Sequence, residues 1–335
     1  MQAELIYNPH SGQVLVRHEI EEAVAFLSRH GLTVVCRETT KPREATELAR
    51  DAVMRGAKVV IAAGGDGTVS EVANGIVHTD AALGVLPVGT NNSWALQMGI
   101  PALNPWWPGT NVVKMVADIE ERIARPLTAN YYGTVILNAA QVLVDGRTVA
   151  VDMGEVSGRY FLNWAGIGLD AAILESIPQK EKKTWGSWAY LFTTIGALGR
   201  GSSTDVQLIL DGKALKVNTQ EIIVSNIRLY GGMLEIGAKA RVNDAKLDVC
   251  IFKGDSFFTF IQHALKILSH QHIGDPMVEY YQCSEIVIES ACAMPVHLDG
   301  EPFTQTPLTI RAVPSALKVI IPKKAPGDLF NTSPL

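Results

Sequence analysis

The sequence predicts two domains of different class, an α/β domain with a mainly parallel sheet followed by an antiparallel β-sandwich. In the first third of the chain, short apolar strands alternate with amphipathic helices, an order typical of a parallel sheet covered on both faces. From about Tyr131, short β-rich segments separated by turn residues predominate, which is typical of a sandwich. The length of 335 residues also suits roughly two domains.

The α/β domain is predicted from seven segments in the order βαβαβαβ. They are residues 4–7, 14–28, 33–37, 46–55, 58–63, 69–77 and 83–87. Ligands of such sheets bind at the carboxyl ends of the strands. Three turns rich in glycine and in small hydroxyl or amide side chains fall at such ends, namely residues 8–12, 64–67 and 87–92. Their convergence on one edge predicts a binding site there.

The turn at residues 64–67 is the most informative segment about function. Its glycines lack Cβ atoms, so a bulky anion can approach the backbone N–H groups. We predict Thr68 as the N-cap of the next helix and Glu71 as its capping-box partner, which would direct the positive helix end at a phosphate. Asp66 beside a phosphate favours Mg²⁺ and a nucleotide. The alternative is a plain strand-to-helix turn. Walker A and Rossmann spacings are absent.

The rest of the chain is read more coarsely. Residues 105–109 predict a packed loop, and residues 111–122 a helix. Helices are also predicted near residues 185–198 and 257–270. The predicted strands of the sandwich are residues 148–153, 160–165, 205–210, 221–225, 246–252, 285–289 and 295–298.

Composition excludes several classes of protein. A net charge of −5, with no basic run carrying interleaved aromatic residues, argues against nucleic acid as a partner. The four cysteines show no C-x-x-C spacing and the N-terminus has no basic and apolar leader, so we expect a cytoplasmic protein with free thiols. The longest apolar helix candidate, residues 185–198, is shorter than the ~20 residues of a bilayer span.

Two carboxylates flank a glycine at Asp299-Gly300-Glu301. Strand alternation places His297 and Asp299 on one face of the preceding strand, and the acid pair could supply a base for a hydroxyl proton. The alternative is an ordinary Asp-Gly hairpin turn. Asp66, Asp299 and Glu301 are the catalytic candidates.

Residues 241–248 offer a carboxylate, Asp244, inside a turn whose carbonyls could help to hold a hard cation. A plain Asn-Asp turn explains the same residues. His263 and His270 lack an acidic partner at ligand spacing and are unpromising metal ligands. The helix at 185–198 carries an apolar stripe behind a basic cluster, residues 180–183. Such a stripe is typical of a core helix, or of a helix resting on an anionic lipid surface.

Together these motifs resemble the diacylglycerol kinase catalytic-domain family, which includes bacterial diacylglycerol kinases and the sphingosine kinases. The resemblance spans most of the chain, with six motifs in the family's order. They are residues 8–12, 64–71, 86–92, 163–170, 231–233 and 299–301.

The resemblance implies a three-layer, NAD kinase-like nucleotide-binding domain at residues 1–127, to which residues 315–335 return, and a lipid-substrate sandwich at 128–314. It implies an active site between them, ATP and Mg²⁺ as cofactors, and transfer of the γ-phosphoryl group to a membrane lipid at the inner membrane face. Asp299 and Glu301 match the family's acid pair. Asp244 maps onto a Mg²⁺ ligand, with the carbonyls of Arg241 and Lys246 as lesser candidates. The residues implied to bind ATP are Asn8, Ser11, Thr39, Gly64, Gly65, Asp66, Gly67, Thr68, Val69, Ser70 and Thr90.

The chain departs from the family pattern at three places. Ser93 replaces the usual aspartate after Asn92, Ala245 replaces the usual glycine after Asp244, and residues 102–130 are longer than expected. Diacylglycerol is the expected acceptor. Sphingoid bases, ceramide and phosphatidylglycerol stay open as alternative acceptors. A homodimer stays open as the oligomeric state. The alternative functions are an NAD kinase and a non-catalytic nucleotide or lipid sensor.

Overall fold

The computed structural model describes residues 1–9, 17–102, 129–176, 203–232, 234–254 and 257–331. The chain divides into two compact units. The first comprises Met1–Val151, Gly231–Met233 and Ser315–Leu335, and the second comprises Asp152–Tyr230 and Leu234–Pro314. The predicted boundary between residues 127 and 128 lies outside the described residues and stays a prediction.

A parallel sheet organises the first unit. Its strands are β1 (Gln2–Tyr7), β2 (Thr33–Glu38), β3 (Val59–Gly64) and β4 (Ala82–Pro87), in the order β2-β1-β3-β4. The last residues of the final strand extend the sheet, since Lys318 and Val319 pair in parallel with Ala82 and Leu83. Every residue of β3 and β4 is buried, as expected for apolar strands covered on both faces.

Helices connect these strands, which confirms the predicted α/β class. They are α1 (Arg17–Arg29), α2 (Glu44–Met54), α3 (Asp66–Ile76), α4 (Ser93–Gln97) and α5 (Ala129–Asp145). In α1 the buried residues Ile20, Ala23 and Leu27 recur at three- and four-residue spacing. Helix α1 packs against α5, and α2 packs against α3. The sequence did not predict α5, and the predicted helix at 111–122 and loop at 105–109 lie outside the described residues.

Helix α3 begins three residues earlier than predicted. It starts at Asp66 after Gly65, whose backbone is extended and which makes no side-chain cap. Thr68 therefore lies within the first turn, and the predicted capping box between Thr68 and Glu71 is wrong. The Glu71 carboxylate instead accepts the backbone N–H of Ala45 at 3.1 Å. It thereby links α3 to the first turn of α2.

Strand β1 carries a buried glutamate, Glu4, whose side chain is 2% exposed. Arg55 follows α2 and donates two hydrogen bonds to it, from Nε at 2.9 Å and from Nη2 at 2.7 Å. Arg37 lies 3.7 Å away. The hydrogen bonds from Arg55 lower the pKa of Glu4, against the opposing effect of burial. The carboxylate is thus held in its ionised form beside two guanidinium groups.

We expect Glu4→Gln to destabilise the protein by about 1–3 kcal/mol at pH 7, because Arg55 loses a charged partner. The pKa of Glu4 is lower in the folded chain than in the unfolded chain. Its contribution is therefore present above the unfolded value of 4.5 and is lost as the pH falls below it. Urea denaturation of the wild-type protein and of Glu4→Gln should show that the difference in their free energies of unfolding becomes smaller between pH 7 and pH 3. The exposed Lys41–Glu47 pair supplies a control, Glu47→Gln, with little effect. A pH-independent difference would contradict this account.

Strands predominate from Arg147 onward. They are β5 (Arg147–Val156), β6 (Arg159–Phe161), β7 (Trp164–Gly168), β8 (Thr204–Leu210), β9 (Lys213–Thr219), β10 (Glu221–Ser225), β11 (Leu229–Tyr230), β12 (Leu234–Glu235), β13 (Leu247–Phe252), β14 (Val278–Cys283), β15 (Glu285–Ser290), β16 (Pro295–Leu298), β17 (Glu301–Gln305) and β18 (Leu308–Ile321). The predicted strand at residues 160–165 is two strands, β6 and β7, separated at Leu162 and Asn163.

The second unit contains two sheets around one core. One has the antiparallel order β14-β13-β10-β7-β16-β17. The other places β8 between β9 and β15, which pairs with the first residues of β18. Side chains from both sheets, among them Ile167, Val224 and Ile286, form a single apolar cluster. The predicted β-sandwich is confirmed.

Two helices accompany the sandwich, α6 (Leu169–Ser176) and α7 (Phe257–Leu268). Helix α7 agrees with the prediction within two residues, whereas the predicted helix at 185–198 and the basic cluster at 180–183 lie outside the described residues. No helix in the described part of the chain combines the length and hydropathy needed to cross a bilayer.

Candidate active site

The carboxyl ends of strands β1 to β4 lie side by side at one edge of the first sheet. The register pairs Tyr7 with both Glu38 and Ala63, and it pairs Gly64 with Pro87. The segments that leave these strands therefore start at the same edge, as the sequence predicts. Loop residues of a doubly wound sheet bind ligands there.

The residues predicted to bind ATP differ in how exposed they are. Asn8 and Thr90 are half-buried, and Thr39 is buried with its backbone N–H donated to Tyr7. Ser11 lies outside the described residues. Within α3 the side chains of Thr68, Val69 and Ser70 are buried, whereas Gly65, Asp66 and Gly67 are partly exposed. The accessible part of this turn is mainly backbone.

Two glycine turns touch at this edge. The N–H of Val88 donates to Gly64, and Gly89 then passes directly over Gly65. A Cβ on Gly89 would overlap Gly65 Cα and lie 2.9 Å from its nitrogen. Only glycine permits this approach. Because no side chain caps α3, the first N–H groups of the helix are suited to a phosphate in the same place.

Asp66 is engaged by the backbone that follows β4. Its carboxylate oxygens accept the N–H groups of Ser93 at 2.9 Å and of Trp94 at 3.1 Å, which are the first residues of α4. Asp66 thereby holds the segment after the turn at residues 87–92 against the turn at residues 64–67. Ser93 is fully buried, and its hydroxyl has no hydrogen-bond partner within the described residues. A catalytic role for Asp66 stays a prediction.

The acid pair lies on the hairpin between β16 and β17. Asp299 and Gly300 both have positive φ, +51° and +81°. The Asp299 carboxylate accepts three backbone N–H groups, from Leu162 at 2.9 Å, Asn163 at 2.8 Å and Trp164 at 3.1 Å. Asp299 therefore holds the hairpin to the segment between β6 and β7.

Glu301 is the more accessible carboxylate of the two. Its side chain is 34% exposed, whereas Asp299 is 9% exposed. Arg159 of β6 contacts Glu301 Oε2 at 2.5 Å, and its guanidinium lies over the ring of Phe303. An accessible carboxylate held by a neighbouring cation is suited to meet a substrate hydroxyl.

A buried polar group that sequence analysis missed lies beside this hairpin, and we call its four members the Asp170 cluster. His297 Nε2 lies 2.7 Å from Asp170 Oδ2, to which the hydroxyl of Tyr230 also donates. The backbone N–H of Asp170 donates to Glu221 at 2.9 Å. Asp170 occurs in one of the family-like motifs, but its partners are 51 to 127 residues away in sequence.

The two carboxyl groups of the Asp170 cluster carry unequal charge. Burial alone would raise the pKa of Asp170, but contact with His297 and hydrogen bonds with Glu221 and Tyr230 lower it. Burial, together with the nearby charge of Asp170, raises the pKa of Glu221 well above its ordinary value. Asp170 therefore holds the negative charge of the pair.

The predicted cation turn is compact. Asp244 is half-buried and accepts the N–H of Lys246 at 3.1 Å, and burial raises the pKa of its carboxyl group. Asp152 lies beneath the same turn, where it accepts the N–H of Ala245 and donates its own N–H to Val242. Within the described residues no three acidic, His or Cys side chains form a metal cluster. The turn fits a cation bound by one carboxylate, carbonyls such as those of Arg241 and Lys246, and water.

Comparison with known families accounts for both units. Residues 2–124 match the model of the diacylglycerol kinase catalytic domain, and residues 164–321 match the model of the YegS C-terminal NAD kinase beta sandwich-like domain. The N-terminal part of the chain is thus similar to the diacylglycerol kinase catalytic domain, and the C-terminal part to the YegS sandwich domain. The two matched ranges contain the glycine turn and the acid hairpin.

Relatives match along the full length of the chain. A diacylglycerol kinase of Bacillus subtilis (strain 168) is 28% identical over 329 residues, covering 98% of each chain. A diacylglycerol kinase of Staphylococcus carnosus (strain TM300) is 28% identical over 343 residues, covering 98% of this chain and 97% of its own. A crystal structure of a diacylglycerol kinase from Bacillus anthracis str. Sterne shares the fold, with a TM-score of 0.71, 22% identity and coverage of 96% and 97%.

One departure from the diacylglycerol kinase family pattern has a structural cost. Ala245 stands where the resemblance implies a glycine, and its φ is +60°, a left-handed conformation that strains any residue with a Cβ. We expect Ala245→Gly to stabilise the protein by up to about 1 kcal/mol, measured by chemical denaturation, since relief of strain exceeds the entropic cost of glycine. The exposed strand residue Ala214 provides the control, because Ala214→Gly should lower stability. Equal losses in both variants would contradict the expectation.

Proposed function

We propose that this chain is a lipid kinase that transfers the γ-phosphoryl group of ATP to the hydroxyl of diacylglycerol and produces phosphatidic acid. One observation carries the proposal: relatives named diacylglycerol kinase match 98% of the chain. The geometry supports it, because the chain has a backbone turn suited to phosphates and an accessible carboxylate suited to a hydroxyl proton.

ATP is assigned to the edge of the first sheet. The N–H groups at the start of α3 and the glycines at positions 64, 65 and 67 would hold the phosphates through backbone contacts. Asn8, Ser11, Thr39 and Thr90 border the same edge in the proposal. Asp66 acts by holding α4 in place. Phosphoryl transfer depends mainly on placement and charge stabilisation, so a rigid backbone site is appropriate.

Glu301 is the proposed base, in preference to Asp299, the other candidate from the sequence. Its carboxylate is accessible, whereas both oxygens of Asp299 already accept backbone N–H groups. Glu301 would take the proton of the lipid hydroxyl as that oxygen attacks the γ-phosphorus and the bond to the β–γ bridging oxygen breaks, releasing ADP. Asp299 would keep the hairpin in shape.

Mg²⁺ is the proposed metal. Asp244 would hold it with the carbonyls of Arg241 and Lys246 and with water, because oxygen ligands suit this ion. When bound, a divalent cation supplies positive charge that steadies the anionic groups around it.

Diacylglycerol resides in a bilayer, so we also propose that the protein is cytoplasmic and docks reversibly on the inner membrane face. The helix predicted at residues 185–198 is the candidate for this contact on sequence grounds alone. A Trp185→Ala, Trp188→Ala pair tests it by liposome pelleting, and undiminished binding would remove that role.

A labelled-ATP assay with Mg²⁺ tests the proposal against a panel of diacylglycerol, sphingosine, ceramide, phosphatidylglycerol and NAD. We expect label in phosphatidic acid. Label in NADP would favour the NAD kinase, and label in another lipid would change the acceptor. ATP binding without transfer to any acceptor would favour a nucleotide sensor and would refute the proposed activity.

A further inference from the structure

The Asp170 cluster adjoins the acid hairpin, yet none of its members has a part in the proposed transfer. His297 lies on β16, two residues before Asp299, and its ring is fully buried. Nε2 of this ring lies 2.7 Å from Asp170 Oδ2, and Nδ1 accepts the backbone N–H of Gly300 at 3.1 Å. One imidazole therefore joins α6 to the turn that carries the acid pair.

The Gly300 contact determines which nitrogen of His297 carries the proton. A backbone N–H can only donate, so Nδ1 must be unprotonated to accept it. A neutral imidazole then carries its proton on Nε2, which donates to Asp170. The hydroxyl of Tyr230 donates to the same carboxylate, and Glu221 accepts the Asp170 backbone N–H. The charged Asp170 thus selects the tautomer that holds the turn.

Side-chain contacts restrain the turn from two sides. Asp299 and Gly300 are consecutive residues with positive φ, the arrangement of a two-residue hairpin of type I′. Asp-Gly is a favoured sequence for this turn, although aspartate adopts positive φ less readily than glycine does. The Asp299 carboxylate supplies one set of restraints, and the bond from Gly300 to His297 supplies another.

We propose that His297, in the tautomer that Asp170 selects, is a positioning residue that holds this turn so that Glu301 presents its carboxylate in one orientation. The inference rests on the proposed function, since it concerns the base of that reaction. The packing beneath the pair supports it. Gly166 of β7 pairs with His297, and a Cβ on Gly166 would overlap both Asp170 Oδ2 and His297 Nε2. The Asp170 carboxylate and the His297 ring therefore fill the space that a side chain at position 166 would occupy.

Two substitutions of His297 separate its contacts. An asparagine amide occupies the place of Nδ1, so His297→Asn keeps an acceptor for Gly300 and loses the contact with Asp170. A glutamine amide reaches the place of Nε2, so His297→Gln keeps the contact with Asp170 and loses the acceptor for Gly300. Each variant is assayed with diacylglycerol and Mg²⁺-ATP for kcat and for the KM of ATP, and its stability is measured by thermal unfolding.

We expect His297→Asn to be the less stable of the two variants and His297→Gln to be the slower enzyme. His297→Asn leaves the buried Asp170 charge with one partner fewer, so it should unfold at the lower temperature. Because it keeps the turn, its kcat should stay within about threefold of wild type, whereas kcat of His297→Gln should fall about 10- to 100-fold, as for a misplaced catalytic group. The KM for ATP should not change in either variant, because ATP is assigned elsewhere.

His272 supplies the matched control. It is also buried, and among the described residues its Nε2 contacts a single backbone carbonyl, that of Ile236 at 3.1 Å. His272→Asn and His272→Gln should lower stability and leave kcat unchanged. Turnover of the His297 variants that simply follows their stability, or a His297→Asn enzyme slower than His297→Gln, would overturn the inference while the proposed function stands. Absence of lipid phosphorylation by the wild-type chain would overturn both.

A measurement on the unaltered protein covers the case in which His297→Asn does not fold. Side-chain ¹⁵N NMR distinguishes a protonated from an unprotonated ring nitrogen. We expect His297 to show an unprotonated Nδ1 and a protonated Nε2, and the reverse assignment would overturn the inference.

Discussion

Glu301→Gln is expected to lower kcat for lipid phosphorylation by about 10²- to 10⁴-fold, the usual contribution of a general base. The glutamine side chain still offers Arg159 an oxygen, so the contact at 2.5 Å keeps an acceptor and the fold should persist. Turnover measured with saturating ATP and diacylglycerol, together with an unchanged thermal unfolding curve, checks both parts.

A similar pair elsewhere provides the control for this variant. Glu285 on β15 contacts Arg311 at 2.8 Å, and both side chains are about half exposed. Glu285→Gln should leave turnover unchanged. Wild-type turnover in Glu301→Gln would remove Glu301 from the mechanism. Asp299→Asn is a poorer test than the sequence suggests, because an amide cannot accept all three N–H groups now bound by that carboxylate, and the hairpin itself should be destabilised.

Gly89→Ala is expected to weaken ATP binding by about 100-fold, the effect of moving a binding group by roughly 1 Å. The added Cβ would overlap Gly65 Cα and push apart the two turns at the edge of the first sheet. The N–H groups at the start of α3 would then no longer converge on one phosphate. Calorimetric titration with a non-hydrolysable ATP analogue gives the dissociation constant directly.

Gly133→Ala is the control for a glycine where a side chain fits. Gly133 lies inside α5, and the nearest atom to an added Cβ is 3.6 Å away, on the Glu22 carboxylate. This variant should bind the analogue as wild type does and should be more stable by up to about 1 kcal/mol. Equal affinity of Gly89→Ala and wild type would show that the contact of the two glycine turns does not shape the nucleotide site.

The sequence predicted the first sheet well because its signals are local. The apolar runs of β3 and β4 show no alternation, and each ends in turn residues, so strand type and site edge follow from neighbouring residues. Helix α5 was missed, since an apolar segment that contains Gly133 and precedes a β-rich region gives no clear helical signal. The start of α3 was misplaced because Gly65 caps it with no side chain, and sequence rules look for a hydroxyl or carboxylate there.

The partners of the catalytic candidates could not be predicted in this way. The contacts of the Asp66 carboxylate with backbone N–H groups of α4 were not predicted. Glu71 was predicted to complete a capping box, but its carboxylate binds a backbone N–H group of α2. Asp299 binds the N–H groups of residues 162–164, about 135 positions earlier. Sequence distance carries no information on such contacts, which depend on which elements become neighbours in the fold, as β16 and β7 do.

Gly166 gives the hairpin a signature that can be read in other chains. A residue with any side chain at this point of β7 would occupy the room that the imidazole and the carboxylate require. A relative that has lost this glycine must therefore have lost the His-Asp pair as well, or must brace its acid turn by different chemistry. The residue type at position 166 in β7 thus indicates how the turn at Asp299 and Gly300, more than 130 positions later in the sequence, is supported.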